Sequence, residues 1–305
     1  MATTTSTTAS DSATPSTRGA VLLMLLSVVL FAGNTLLIRA IGDLGSVNAW
    51  IVSTFRFLAG FAVLYGFFYQ RGGFRPRHML TNPLLILRGV LGGIGVWIFY
   101  LTIVELGAGR ATFISNTYVV FGAVMAGVFL RERLTGRVVV SLVLSMVGLA
   151  LLTGMSDLHA PSKFETLGII GAIVAGAVVV CIRRLHQKEN SSTIFGAQCL
   201  YGILLSAGPT ALHGVPLSGL IIALLVTSGL LATFGQLSMT QAYRDLPVAQ
   251  GSIMQLLLPP LIALGGYLFF GETFTPIELV GAGLILAACL FTASARPRLA
   301  SARAT

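Results

Sequence analysis

The chain has 305 residues, of which 55% are hydrophobic and only 10% are charged, and its formal net charge is +9. A soluble domain carries roughly a quarter of charged residues, so this composition excludes an ordinary soluble enzyme or binding module and indicates a protein solvated by lipid. The basic residues lie between apolar segments, as in loops that face a negatively charged membrane surface. The positive charge therefore does not indicate a nucleic-acid partner.

Residues 1–17 form a tail rich in Thr, Ser and Ala. Such a tail has too few apolar side chains to offset the entropy of ordering, so we predict that it is disordered. The apolar run that follows Arg18 is longer than the core of a signal peptide, which favours an uncleaved first membrane helix.

Apolar segments near 20 residues long recur from this point to the end of the chain. A helix of about 20 residues crosses the hydrocarbon core of a bilayer. Ten segments fit that length: 19–41, 47–69, 83–104, 111–130, 138–154, 167–182, 192–211, 217–242, 248–270 and 277–294. The connections between them are short, and none is large enough for a soluble domain. The predicted fold class is an all-α integral membrane protein with ten transmembrane helices.

Connections rich and poor in basic residues alternate along the chain. With a cytoplasmic N-terminus, the inside connections contain Arg18, Arg71, Arg75, Arg77, Arg131, Arg133, Arg137, Arg183, Arg184, Lys188, Arg244, Arg296, Arg298 and Arg303, and the outside connections contain only Arg110 and Lys163. Cytoplasmic loops are enriched in Lys and Arg. The pattern predicts that both termini, including a C-terminal tail at 296–305, are cytoplasmic, and that the helix count is even.

The middle and the last third of the chain match each other in one register. ATFISNTYVVFGAVMAGVFLRERLT aligns with GSIMQLLLPPLIALGGYLFFGETFT, so that Glu132 matches Glu272. In a slightly shifted register, LLIRAI at the end of segment 1 resembles VCIRRL at the end of segment 6, which pairs Arg39 with Arg183. A five-helix unit therefore occurs twice.

Five is an odd number, so the second unit must enter the membrane from the face opposite the first. The sequence therefore predicts two inverted repeats, at 18–155 and 165–295, with Glu132 at the cytoplasmic surface and Glu272 outside. Inverted repeats are a common architecture of secondary transporters, because the two halves can exchange roles on opposite sides of a membrane.

These features together resemble the EamA branch of the drug/metabolite transporter superfamily: Arg56 within segment 2, the Glu after segments 4 and 9, and the stretch LPVAQGSIMQLLLPPLIALGGYLFFGETFTPIELVGAGLILAA. The resemblance covers nearly the whole chain after the tail. It implies a substrate cavity bordered by segments 1 to 4 and 6 to 9, with segments 5 and 10 at the periphery. It also implies export of amino acids and other small metabolites.

The first half departs from the family pattern at one point. The family's Pro near the centre of segment 9 is present as Pro259 or Pro260, whereas Val119 and Val120 occupy the matching positions of segment 4. The absence of Pro predicts a straighter helix in the first half than in the second.

A polar side chain at bilayer depth should face protein or a water-filled cavity. The candidates for substrate contact on this criterion are Asn34, Arg56, Trp97, Tyr100, Asn116, Gln236 and Gln255. Asn116 lies in the polar cluster SNTY of segment 4, and Gln236 and Gln255 lie deeper in their segments than Gln241 and Gln250 do. Each candidate also has an ordinary structural interpretation.

The alternatives differ by residue type. The amides of Asn34, Asn116 and the glutamines can pair with a zwitterionic or amide-bearing substrate, or they can join helices by hydrogen bonds. Trp97 and Tyr100 are three residues apart and share a face, which predicts either an aromatic wall or part of an interfacial belt. Arg56 can hold a substrate carboxylate bidentately or a backbone carbonyl.

The acidic residues map to loops and helix ends, and none lies near the centre of a segment. A membrane-embedded carboxylate commonly couples cation efflux to proton entry, so we expect a neutral or zwitterionic substrate rather than an organic cation. The four His residues lie in or near loops, and no nucleophile or metal-ligand spacing occurs. We therefore predict neither enzymatic activity nor a metal or cofactor.

The resulting prediction is a secondary transporter of the cell inner membrane that exports small metabolites, amino acids foremost, by alternating access. A drug or organic-cation exporter is one alternative, and a nontransporting membrane scaffold or sensor is the other. The expected partners are a small-molecule substrate and the lipid bilayer, and the sequence leaves a homodimer open.

Overall fold

The structure is a computed structural model that describes residues 17–44, 47–106, 108–154, 162–214 and 218–293. The two predicted tails lie outside these ranges, apart from Thr17, which begins the first helix. All regular secondary structure of the described residues is helical. The predicted all-α class is confirmed on these ranges.

The first half contains α1 to α7: Thr17–Leu44, Ala49–Val63, Pro76–Thr81, Pro83–Leu106, Ala108–Asn116, Tyr118–Phe129 and Gly136–Leu152. Helix α2 continues into a π-helical segment, Leu64–Tyr69. The second half contains α8 to α13: Lys163–Leu185, Ser191–His213, Gly219–Ala242, Val248–Gln255, Leu258–Phe270 and Pro276–Ala293. Each predicted segment coincides with a helix or with two consecutive helices, and the short α3 falls in a predicted loop.

Seven helical stretches within the described residues are long and apolar enough to cross a membrane. Three further apolar stretches are shorter: Pro83–Phe99, Gly136–Leu152 and Pro276–Thr292. The chain is therefore a multi-pass membrane protein. The count of ten spans depends on the three shorter helices and stays a prediction.

The helix ends show why the chain turns where it does. Ser162 and Glu165 form a capping box at the start of α8, in which each side chain accepts a hydrogen bond from the other residue's backbone. Thr275 and Glu278 make the reciprocal pair of bonds before α13, at 2.7 and 3.4 Å, as their spacing predicts. These caps satisfy N–H groups that a helix cannot satisfy internally.

The sequence repeat is also a repeat of backbone geometry. Glu132 N donates to Ala126 O and Glu272 N donates to Gly266 O, both at 3.2 Å. The residue before each Glu has a positive φ, 56° at Arg131 and 66° at Gly271. A left-handed conformation is costly for a residue with a side chain, so the turn itself, rather than glycine, is what the two halves share.

The packing of the helices also has a twofold relation between the first and second halves. Helix α1 packs against α10 and α12, and α8, its counterpart, packs against α4 and α6. Helix α2 lies against α9, and α7 lies against α13. Every one of these contacts has its partner when the first half is exchanged for the second.

Helices α7 and α13 form a close pair. A Cβ built on Gly148 would lie 2.6 Å from Gly281 O, and a Cβ on Gly281 would lie 2.5 Å from Gly148 O. Small residues allow helices to approach backbone to backbone within a membrane. Apolar side chains on the outer faces of the pair, including Val140, Val143 and Leu290, are exposed, as expected of a lipid-facing element.

Segment 4 is not continuous, although it lacks the proline that predicts a break. Helices α5 and α6 are interrupted at Thr117, and α11 and α12 are interrupted at Leu256 and Leu257. Thr117 Oγ1 donates to Ile114 O at 2.6 Å, and Asn116 Nδ2 donates to Thr112 O at 2.8 Å. Side chains that bond to a preceding carbonyl loosen a helix, so polar residues accompany the interruption in the first half where proline does so in the second.

Candidate functional site

Helices α1 and α2 approach α10 closely at two glycines of α10. A Cβ built on Gly229 of α10 would lie 3.1 Å from Phe55 O and 3.3 Å from Arg56 Cα, and a Cβ on Gly235 would lie 3.3 Å from the Phe31 ring. Neither glycine has room for a side chain unless its neighbours shift. The close approach brings side chains of three helices from both halves to one place.

Arg56 and Gln236 meet at this place. Arg56 Nη2 donates to Gln236 Oε1 at 3.4 Å, a long hydrogen bond. The guanidinium carbon lies 5.7 Å from the centroid of the Phe31 ring, within the range of a cation–π interaction. Gln236 is buried, and Arg56 Nε is a buried donor without a hydrogen-bond partner. Two residues predicted independently for substrate contact therefore lie together.

Asn34 makes a second contact between α1 and α10. Its Oδ1 accepts a hydrogen bond from Ser228 Oγ at 2.8 Å, and both side chains are buried. Asn34 shares a face of α1 with Phe31, three residues before it. This bond is the helix-to-helix interaction that was the alternative to substrate contact.

A double-mutant cycle separates those two roles for Asn34. We expect Asn34→Ala, Ser228→Ala and the double variant to show a coupling of about 1 kcal/mol in the free energy of unfolding, since hydrogen bonds between membrane helices contribute about this much. Export by the folded double variant should equal that of the wild type if the pair only joins helices. Loss of export with wild-type stability would instead assign Asn34 to substrate contact.

Trp97 is 39% exposed and stacks on Trp50, with ring centroids 6.1 Å apart. Trp50 is the second residue of α2, so the pair lies at a helix end. That position favours the interfacial belt over the aromatic wall. The side chain of Tyr100 lies outside the described part of the structure.

Asn116 and Gln255 both lie where a long helix is interrupted. Asn116 bonds within its own helix, whereas Gln255 Nε2 donates to Ser27 Oγ at 3.1 Å and contacts Met24 Sδ at 2.9 Å, both on α1. No hydrogen bond or ring contact of the described residues joins Trp97, Asn116 or Gln255 to Arg56. The structure therefore joins Arg56 to Gln236, with Asn34 on the same face of α1 as Phe31, and Gln255 reaches α1 at Ser27, one turn before Phe31.

Sequence reasoning passes over three residues that this geometry makes prominent: Trp50, Arg88 and Ser228. Arg88 is the largest fully buried side chain of the described residues. Its signal was a charged residue five positions inside an apolar segment. Nothing in the sequence marks Trp50 or Ser228 as functional, because Trp at a helix end and Ser in a membrane helix are both ordinary.

A second polar feature surrounds Glu132. Its Oε1 accepts from Arg183 Nε at 3.3 Å, and its Oε2 accepts from Val248 N at 2.8 Å, at the first turn of α11. A carboxylate is favourable at a helix N-terminus. Arg183 Nη1 also donates to the carbonyls of Tyr243, at 3.0 Å, and Arg244. This pair ties together α8, the start of α11 and the ends of α6 and α10.

Glu272 makes the equivalent pair with Arg39, whose guanidinium also lies 4.3 Å from the centroid of the Phe270 ring. The Glu272 side chain is 36% exposed, against 16% for Glu132. The residues that match in sequence, Glu132 with Glu272 and Arg183 with Arg39, thus form equivalent ion pairs, one half-buried and one open to solvent.

The two ion pairs lie at opposite ends of the helix bundle. Arg183 Nη1 donates to Tyr243 O, and a Cβ built on Gly251 would lie 2.6 Å from the Tyr243 ring and 3.0 Å from Met24 Cε, which places Arg183 near the first turns of α1. Arg39 lies near the other end of α1, 15 residues after Met24, or about 22 Å at 1.5 Å per residue. One carboxylate–guanidinium pair therefore fastens each end.

A model of the EamA-like transporter family matches the chain twice, at residues 18–154 and 163–294. A solved crystal structure covers 90% of this chain and 96% of its own, with a TM-score of 0.75 and 16% sequence identity. At that identity the structural match shows the fold alone.

Three similar proteins of low sequence identity are named as exporters or as a solute carrier. The pseudopaline exporter CntI of Pseudomonas aeruginosa is 22% identical, over 89% of this chain and 94% of its own length. The threonine/homoserine exporter RhtA of Escherichia coli is 27% identical, over 88% of this chain and 90% of its own. Solute carrier family 35 member G1 of Homo sapiens is 24% identical, over 86% and 75%.

Proposed function

The chain belongs to the EamA-like transporter family, and from this membership we propose that it is a secondary transporter that exports small metabolites, such as amino acids, by alternating access. The family is one of transporters, and two relatives are named as exporters, which supports the predicted transporter class. One relative is named for export of threonine and homoserine, and that name supports amino acids as the first substrates to test.

We place the protein in the inner membrane as two inverted five-helix repeats, 18–155 and 165–295, with ten spans and cytoplasmic termini. The two family matches, at 18–154 and 163–294, and the exchange symmetry of helix packing support this division. The concentration of Lys and Arg in alternate connections supports the orientation.

The observation that carries alternating access is the pair of equivalent ion pairs at opposite ends of the bundle. In an inverted repeat, each end can adopt the conformation of the other. The Glu132–Arg183 end is half-buried and has additional hydrogen bonds to Val248 N and to the carbonyls after α10. The Glu272–Arg39 end has an exposed pair. We infer that the protein is closed at the Glu132 end in this conformation, and that transport exchanges the two arrangements.

We propose that Arg56 and Gln236 contact the substrate. Asn34 joins α1 to α10 beside them. A guanidinium inside a membrane bundle must be paired, solvated or functional. Its partner Gln236 is neutral, so the charge is not neutralised by this contact. The roles predicted for Trp97, Tyr100, Asn116 and Gln255 remain predictions.

A positively charged interior does not favour the organic-cation alternative. Arg56 would repel a cation, and the aromatic ring beside it, Phe31, already faces the guanidinium. A dye-protection assay would test this alternative directly, and protection of cells against cationic dyes would contradict our assignment.

The proposed function is tested by export and by reconstituted transport. Cells that overexpress the protein should accumulate one or a few amino acids in the medium, and proteoliposomes should exchange the same compounds. The folded Arg56→Gln variant should lose this activity, whereas Arg77→Gln, the same change at an exposed residue of the short helix α3, should retain it. If no amino acid or other small metabolite crosses the membrane with the wild type, the proposal fails.

A further inference from the structure

Arg88 of α4 is a second guanidinium inside the bundle, and it is fully buried. Its Nη2 donates to Gln198 Oε1 of α9 at 2.9 Å. Its Nε and Nη1 are buried donors without hydrogen-bond partners. Burial of unsatisfied donors on a charged group is costly, so this side chain is not explained by its single hydrogen bond.

The space around Arg88 is shaped for a guanidinium. A Cβ built on Gly92, one turn further along α4, would overlap Arg88 Nη1 and would lie 3.2 Å from Gln198 Cγ. Only glycine leaves this volume open. On the adjacent α9, Cys199 follows Gln198, and its Sγ would lie 2.7 Å from a Cβ built on Gly60, one turn after Arg56 on α2.

The helices of Arg56 and Arg88 meet at one turn of α9: a Cβ built on Gly202 would overlap the ring of Phe57, the residue after Arg56, and a Cβ built on Gly93 of α4 would lie 3.5 Å from Gly202 Cα. Each guanidinium has a neutral amide as its side-chain partner, Gln198 for Arg88 and Gln236 for Arg56. No salt bridge within the described ranges links either arginine to a carboxylate. Two like charges in a medium of low dielectric constant are unfavourable, and an anion between them would relieve that repulsion.

We propose that Arg56 and Arg88 form one anion site, and that this site takes a carboxylate group of a metabolite. The inference builds on the proposed transport function and narrows its substrate to carboxylate-bearing compounds. Guanidinium groups match the planar geometry of a carboxylate and donate two parallel hydrogen bonds to it. The three unpartnered donor atoms, Arg56 Nε, Arg88 Nε and Arg88 Nη1, suit the two oxygens of a carboxylate.

The site also explains why the two arginines belong to different helices. Arg56 projects from α2 toward α10, and Arg88 projects from α4 toward α9. A ligand held by both guanidiniums would link α2 and α4 of the first repeat to α9 and α10 of the second. A carboxylate would thus favour one arrangement of the halves over another, as a transported substrate must.

The experiment measures stabilisation of the purified full-length protein by a carboxylate and by its neutral analogue. The probes are succinate and succinamide, which differ in charge but little in size, each titrated against the thermal unfolding midpoint in detergent. We expect succinate to raise the midpoint by several degrees and succinamide to leave it unchanged, because only a ligand that binds the folded state stabilises it.

Variants of the two arginines test whether succinate binds at this site. Arg88→Gln and Arg56→Gln should each raise the half-saturating succinate concentration at least about tenfold, since each removes charge-assisted hydrogen bonds. Arg77→Gln, the same change at an exposed residue, should leave it unchanged. Arg88→Lys retains the charge but not the planar guanidinium with its paired donors, so it should have an intermediate effect. If Arg88→Gln does not fold, the half-buried Arg56 supplies the same comparison.

The proposal is overturned if succinate does not stabilise the wild type, or if it stabilises the wild type and both glutamine variants equally. Its failure differs from that of the transport proposal. Succinate-dependent stabilisation without transport of any metabolite would leave the anion site and remove the transporter assignment. Amino-acid transport with unchanged KM in both glutamine variants would instead leave the transporter assignment and remove the anion site.

Discussion

Replacing Glu132 with Gln should lower the free energy of unfolding by about 2 kcal/mol, because it uncouples a half-buried ion pair. The side chain keeps its shape but loses the charge that pairs with Arg183 and stabilises the N-terminus of α11. Arg183 would then remain partly buried without its carboxylate. If this pair holds one end of the bundle closed, a loss of that size shifts the balance between the two conformations by more than tenfold, and export should fall accordingly.

Glu272→Gln is the matched control, because it makes the same change at the equivalent position of the second half. Its pair with Arg39 is exposed to solvent, and exposed ion pairs contribute about 0–1 kcal/mol. Thermal or denaturant unfolding in detergent, together with export from cells, compares the two variants. Equal losses of stability would show that the half-burial of Glu132 has no energetic consequence, and would contradict the inference that this end is closed.

The second large effect is expected for Gly281→Ala. The added methyl group would lie 2.5 Å from Gly148 O and 2.6 Å from Leu152 N, both backbone atoms that cannot move without shifting α7. Overpacking of this kind costs about 1–3 kcal/mol, and we expect the upper part of that range because the clash is with backbone. The thermal unfolding midpoint in detergent should fall, and export should fall with the amount of folded protein in the membrane.

Gly283→Ala provides the control within the same helix. Nothing lies within 4 Å of a Cβ built there, so the substitution should be neutral or slightly stabilising, as expected from the higher helix propensity of Ala. A stable Gly281→Ala variant would mean that α7 and α13 are packed less closely than the structure shows.

Most of the fold follows from local sequence. Long apolar segments must be helical in a bilayer, because only a helix satisfies its own backbone hydrogen bonds there. Their length and the spacing of Thr275 and Glu278 locate the helices to within a few residues. The interruption at Thr117 was missed because the prediction rested on proline, whereas hydrogen bonds from Asn116 and Thr117 to preceding carbonyls accompany the break.

The candidate site was predicted residue by residue but not as a site. Arg56 and Gln236 were each expected to face the interior, yet they are 180 positions apart in the chain, and no pattern of spacing relates them. By sequence, Asn34 is equally compatible with substrate contact and with helix packing, and its bond to Ser228 supports packing. Arg88 escaped notice because a single basic residue near the start of an apolar segment also suits an interfacial loop.

The sequence alone determined the membrane class, the helical segments, the twofold repeat and, through the EamA resemblance, the family. These properties depend on composition and on spacing along the chain. Only the tertiary structure decided that Glu132 pairs with Arg183 and Glu272 with Arg39, that Arg56 meets Gln236, and that Arg88 is buried with Gln198 as its partner. Such pairs depend on how distant helices pack, and close packing is set by glycines and side-chain shapes that must fit all their neighbours at once.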